Sequence, residues 1–128
     1  MFGPWEASLR SYFDHNMRHN ACLVRGDTLY VVWSRVGDIP ESLLISKMDI
    51  SNPDWEEWKA TEPIKILEPE KEWEGSKLPS VSSLRGELSL ERRELRDPCL
   101  FWDSEKDKVY LYYVGRGEKE IGVCSADL

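Results

Sequence analysis

Few side chains in this chain have the types and spacing to do chemistry, and they gather in two short stretches. "LRDPCLFW" (95–102) sets Arg96 and Asp97 just ahead of an apolar run, and "RHNACLVR" (18–25) sets His19 and Asn20 ahead of a similar one. A carboxylate such as Asp97 accepts hydrogen bonds from vicinal hydroxyls, which suits carbohydrate recognition. The plainer alternative is that Asp97 pairs with Arg96 or caps a loop, while Pro98 sets the backbone at the start of a strand. His15 and His19 are four apart, a spacing that would share one helical face. A metal site needs a third ligand, and none is evident, so no metal and no cofactor is expected. The three cysteines, Cys22, Cys99 and Cys124, have no CxxC spacing and sit among apolar or small residues. They read as small buried thiols. Of the six tryptophans, Trp33 and Trp102 lie in or beside apolar runs and are expected in the core. Trp55, Trp58 and Trp73 fall in acidic loops, where they either pack or offer stacking surfaces.

The elements that must position these residues are strands. "TLYVVWS" (28–34) and "KVYLYYVG" (108–115) are rich in β-branched and aromatic residues, the composition of strands. In the second, Val109, Leu111 and Tyr113 alternate with Tyr110, Tyr112 and Val114, so both faces are apolar and both are expected to be covered. Gly-Asp and "DSEKDK" (103–108) mark hairpin turns. "LLISKMDI" (43–50) and "IGVCSADL" (121–128) follow as further strands.

The two halves can be aligned. Cys22 falls on Cys99, Leu23 on Leu100, Leu29 on Val109, Tyr30 on Tyr110 and Gly37 on Gly117. Glu41 in "GDIPES" and Glu118 in "GRGEKE" follow the two central strands at similar places. There they either line one end of a repeated assembly or stay in solvated turns. A repeated antiparallel unit with both faces buried points to β-propeller blades, which stack radially. The blade-like repeats span about 19–67 and 95–128, within a single partial domain covering 1–128. Between them, "PIKIL" (63–67) is expected as the outer strand of the first. Residues 82–95 fit a short helix or a loop, and residues 1–18 an edge strand or a clasp.

Composition excludes several classes. At 128 residues the chain suffices for one domain, and 41% hydrophobic against 32% charged residues is globular. The formal charge is −7, which repels phosphate backbones, so nucleic acid is not an expected partner. No apolar run reaches the roughly 18 residues of a spanning helix, so no membrane partner is expected. The start "MFGPWEASLR" lacks the pattern of a secretory signal, and a cytoplasmic location follows as the default.

Taken in order, "MRHNACLVRGDTLYVVWSRVGDIPESLLISKMDIS", "DWEEWK", "LEPEKEWEGSKLPS" and "LRDPCLFW…KVYLYYVGRGEKEIGVCSADL" resemble the C-terminal part of five-bladed β-propeller glycosidase-like proteins. These are related to glycoside hydrolase families 43 and 32. The resemblance covers roughly residues 17–128. It implies an all-β fold of about two antiparallel blades. It also implies that Arg96-Asp97-Pro98 matches the family's Arg-Asp-Pro motif near the axis, where the motif's Asp meets sugar hydroxyls. A substrate-binding set of Asp97, Arg96, His19, Glu41 and Glu118 is the resulting expectation. Hydrolysis would need two carboxylates flanking the bond. Glu74 in "EWEG" superficially matches an acid/base Glu of family 32, but it precedes Arg-Asp-Pro, the reverse of the family's order, so no role is carried over. The catalytic residues are left unassigned.

Two blades alone would expose a large apolar sheet face. A homo-oligomer, most simply a dimer completing a propeller-like ring, is therefore expected. The functional expectation is a carbohydrate-binding propeller module. The alternative is a non-catalytic, self-assembling propeller remnant.

Overall fold

The computed structural model describes residues 11–87 and 89–128. It is all-β: two antiparallel sheets, with two short 3₁₀ turns (Trp55–Glu57 and Glu72–Glu74) in the connecting segment. The first sheet orders β1 (Met17–Arg25), β2 (Thr28–Arg35), β3 (Leu43–Asp49) and β4 (Ile64–Leu67) side by side. The expected outer strand of "PIKIL" is β4. The second sheet orders β5 (Leu95–Asp103), β6 (Lys108–Gly115) and β7 (Glu120–Ala126). Of residues 82–95, where a helix or a loop was open, the described ones up to Glu94 are loop, and Leu95 begins β5.

Turn chemistry sets the registers. Gly26, at φ +58, closes β1–β2 in two residues, so Arg25 pairs with Thr28. The four-residue β5–β6 turn is closed by Asp103, whose Oδ1 accepts from the backbone N–H groups of Glu105 and Lys106, each at 3.2 Å. Each sheet's first hairpin also carries a bulge, between Arg18 and Ala21 in one and between Arg96 and Cys99 in the other. The bulges fix how the halves correspond. Arg18 matches Arg96, His19 matches Asp97, and Ala21 matches Cys99. The sequence alignment of Cys22 with Cys99 is thus off by one at this strand, whereas Tyr30 and Tyr110 do correspond.

The sheets pack face to face. Tyr30, Val32, Leu43, Ile45 and Leu67 of the first meet Leu95, Leu100, Leu111, Tyr113 and Cys124 of the second. The opposite face of the first sheet, built on Val31, Trp33 and Leu44, is covered by Phe13 and Met17. Phe13 meets the Trp33 ring edge-on at 5.7 Å. So β2 is covered on both faces, as its composition requires.

β6 is not. Val109, Leu111 and Tyr113 are buried, but Tyr112 is exposed on the other face, which nothing described covers. Cys99, paired with Tyr112, is exposed with it. Cys22 is exposed because β1 is an edge strand, and Cys124 is half-buried. The expectation of three buried thiols is corrected accordingly. Trp102 is corrected too. It lies at the rim of the inner face, 40% exposed, under the Arg25 guanidinium at 5.2 Å. Its indole N–H donates to Asp107 at 3.1 Å.

Candidate functional site

The two bulges lie beside each other, because β5 packs against β1. A bulge adds one residue and turns the strand, re-aiming side chains at the point of insertion. Here it sends Arg18 and Arg96 into one buried cluster with Glu41 and Glu94. Arg96 is almost wholly buried, and Glu41 and Glu94 completely so. Arg18 grips Glu41 with both arms, Nε at 2.9 Å from Oε1 and Nη2 against Oε2. Arg96 holds Glu94 Oε2 through Nε at 2.9 Å and Nη2 at 2.7 Å. It approaches Glu41 Oε2 at 3.4 Å and Glu118 Oε1 at 3.1 Å. One guanidinium thus spans three carboxylates, using the planar fork that distinguishes Arg from Lys.

The loops are tied to the same cluster. Arg18 Nη1 donates to the Leu84 carbonyl at 2.9 Å, and the Leu95 N–H donates to the Glu41 carbonyl at 2.9 Å. Burial is the main influence on Glu94, pushing its pKa above the usual carboxylate range, and the Arg96 charge only partly opposes it. Glu94 Oε1 has no hydrogen-bond partner among the described residues.

Above this buried layer sit the residues that solvent reaches. His19, half-buried, accepts or donates at Nδ1 with Ser34 Oγ (3.3 Å), and its Nε2 lies 3.5 Å from Asp97 Oδ1. Burial holds the His19 pKa below its ordinary value, with Asp97 opposing. Asp97 and Glu118 are both exposed, the Glu118 side chain at 32%. His19 (φ +50), Asp97 (φ +46) and Glu118 (φ +68) are all left-handed, as is Arg116 (φ +55) beside them. Among the described residues only one other non-glycine, Asp107 in a hairpin turn, shares that conformation. His and Asp visit this region more readily than most residues, but Glu and Arg do so at a cost. Gly117 completes the strained turn, and a Cβ there would meet the Leu90 carbonyl at 2.7 Å. Arg18, His19, Arg85, Gly86, Glu87 and Glu118 line an open cleft of about 350 Å³ at this end.

Of the five residues singled out from sequence, all lie at this one place, in two layers. His19 and Glu118 line the cleft, and exposed Asp97 lies beside it, 3.5 Å from His19. Arg96 and Glu41 lie beneath and reach no solvent. Glu41 is therefore no solvated turn residue; it touches the cleft residues through Arg18, Arg96 and His19, whose Nδ1 lies 4.0 Å from Glu41 Oε1. Sequence reasoning passed over Arg18 and Glu94. Arg18 was legible as the counterpart of Arg96 once the bulges are aligned, and Glu94 as its same-side neighbour two residues along an extended chain. His15 does not share a helical face with His19; it sits in a turn, 3.6 Å from Asp14. Among the described residues no group of three or more His, Cys, Asp or Glu is placed to hold a metal ion.

Glu74 lies elsewhere, buried against the second sheet. It accepts from Tyr113 Oη at 2.6 Å and from the backbone N–H groups of Glu70 and Lys71 at 2.8 and 2.7 Å. It anchors the 69–75 loop and has no route to the cleft residues. Trp73 stacks on Tyr113 at 6.1 Å. Trp58 donates to the Asn52 carbonyl at 2.8 Å. Both pack loops.

With this geometry in view, comparison with known proteins adds one relative. The chain is similar to "Uncharacterized protein R118" of Acanthamoeba polyphaga mimivirus. Identity is 38% over 106 residues, which is 82% of this chain and 29% of that protein. The chain thus spans under a third of the length of the curated relative it matches. No family model matches, and no solved structure matches. No helix among the described residues is long and apolar enough to cross a membrane.

Proposed function

We propose that the two sheets are two propeller-type blades, and that the cleft at their bulged ends binds carbohydrate. What carries the reading is that left-handed His19 and Glu118 line one cleft, with left-handed Asp97 beside His19, above a buried arginine–carboxylate layer. Such backbone strain persists only where the surroundings enforce it, and it gathers at functional sites. The exposed carboxylates of Asp97 and Glu118 accept from hydroxyls, and His19 Nε2 supplies a further polar atom at the rim. Arg96 and Glu41 act as positioning residues. The glycosidase-like resemblance of Arg96-Asp97-Pro98 agrees with this assignment. Glu41 and Glu94 are buried against arginines, so the reading stops at binding and assigns no acid or base.

The test is calorimetric titration with a panel of mono- and oligosaccharides. Binding by the wild type that falls at least tenfold in Asp97→Asn, a substitution that tolerates the left-handed backbone, supports the reading. A folded wild type that binds no sugar in the panel refutes it.

A second reading, that the chain is a non-catalytic module acting through self-association, is favoured by the uncovered apolar face around Tyr112.

A further inference from the structure

Among the described residues nothing covers the outer face of the second sheet. Cross-strand pairing puts Phe101, Tyr110, Tyr112, Val114, Ile121 and Val123 on that one face. Phe101 is 54% exposed, Tyr112 41%, Ile121 78% and Val123 54%. With about 150–250 Å² for each large side chain, these four alone show roughly 400 Å² of apolar surface. Half-buried Tyr110 and Val114 join them into one patch. Soluble monomers seldom leave a contiguous patch of this size without a use for it.

The correspondence between the halves indicates what such a face is for. Tyr30 and Val32 correspond to Tyr110 and Tyr112, and they lie on the face that the first sheet buries against the second. The equivalent face is thus a packing face in one sheet and open in the other.

Three sheet faces are already buried at their centres: both faces of the first sheet, whose outer side stays open at Cys22 and Val24 on the β1 edge, and the inner face of the second. A second copy therefore cannot offer its Val31/Trp33 face, because Phe13 and Met17 lie on it. Among the described residues, the apolar sheet face left open at its central strand is the same Tyr112 face.

We propose that two copies of this chain associate through this face, sheet against sheet, about a two-fold axis. This rests on the self-association reading and names its surface and symmetry. An interface using one patch on both partners is isologous and closes at two copies, so it forms a sandwich rather than a ring. Two such patches bury roughly 800 Å² at their centre, and the strand rims bring the total towards the lower end of stable interfaces, about 1,200 Å². Dissociation is expected on the order of micromolar. Each copy carries −7 and the patch itself is apolar, so added salt tightens the pair by screening repulsion.

Sedimentation equilibrium of the full chain from about 1 to 200 µM, a range bracketing that affinity, tests this. The expected result is a rise from monomer to dimer mass, steeper at high salt. Tyr112→Lys and Ile121→Lys, both at exposed positions, should weaken it at least tenfold with unchanged circular dichroism. Ile64→Lys, on exposed β4, should not. Alkylation of Cys99, which lies on the patch, should slow as concentration rises, while Cys22 on the first sheet should react at a constant rate. A dimer that survives Tyr112→Lys and Ile121→Lys, with Cys99 still fully reactive, overturns the assignment of this face while self-association stands. A wild-type monomer across the whole range overturns both.

Discussion

Replacing Arg96 by Met keeps most of the side-chain volume and removes the one cation that spans three carboxylates. Arg18 still neutralises Glu41. Glu118 is part-exposed and can turn to solvent. Glu94 is left fully buried, with no cation on its Oε2 and, among the described residues, no partner on its Oε1. Removing one partner of a buried ion pair costs about 3–5 kcal/mol, mostly the penalty of the stranded charge. That is a large share of the roughly 5–15 kcal/mol that holds a domain together. For a chain of this size it lowers Tm by roughly 10–20 °C.

The pH dependence identifies the cause. Burial already raises the Glu94 pKa, and losing Arg96 raises it further. The folded variant therefore binds a proton that the unfolded chain, ionised above about 4.5, does not. Its stability rises as pH falls through the folded pKa, so the gap from wild type narrows between neutral pH and about pH 5. Glu94→Gln added to Arg96→Met should recover more than half of the loss at pH 7. Urea titration followed by tryptophan fluorescence at several pH values, with the double-mutant cycle, measures all of this. If Arg96→Met lies within 1 kcal/mol of wild type, or its deficit does not change with pH, the stranded-carboxylate argument fails.

Three further outcomes are expected. The His19 pKa, depressed by burial, means that below about 6.5 the unfolded chain takes a proton before the folded one does. Stability then falls as pH drops from there through the folded pKa, and His19→Asn should flatten that segment of the urea-midpoint profile. Gly122→Ala places a Cβ 2.4 Å from the Trp73 ring and 2.6 Å from that of Tyr113. It should cost about 1–3 kcal/mol by overpacking and red-shift Trp73, read by denaturation and emission spectra. Leu43→Ala, at a fully buried position between the sheets, should cost about 2–5 kcal/mol in the same assay.

Much of the strand order was legible because turn and strand chemistry agree. Thr28–Arg35 is apolar on both faces, and both are covered, by the second sheet and by Phe13 with Met17. Lys108–Gly115 has the same pattern with one face open. Alternation records what a strand is fitted to pack against, but it does not say whether the cover lies in the same chain. The cysteines were misread for a related reason. Apolar neighbours along a strand share its sequence and not its exposure, because successive residues point to opposite faces. Cys99 falls on the open one.

That these residues lie together was legible in the sequence, and their depth was not. Glu41 and Glu118 follow the central strands at matching places, yet one is wholly buried and the other half-exposed. The difference follows from the bulges. An inserted residue at His19-Asn20 and at Asp97-Pro98 breaks each strand just after an arginine, and both arginines reach the same buried cluster. With β1 and β5 adjacent, two cations then meet in one small volume. That volume must be filled with carboxylates, and Glu41 and Glu94 fill it. Pro98 and the left-handed His19 and Asp97 are the local marks of those bulges. Pro is tolerated inside a strand only where the ladder is already broken. Arg-Asp-Pro is therefore first a device for breaking β5 at one residue. The same break that buries Arg96 leaves Asp97 exposed beside the cleft, where it meets His19.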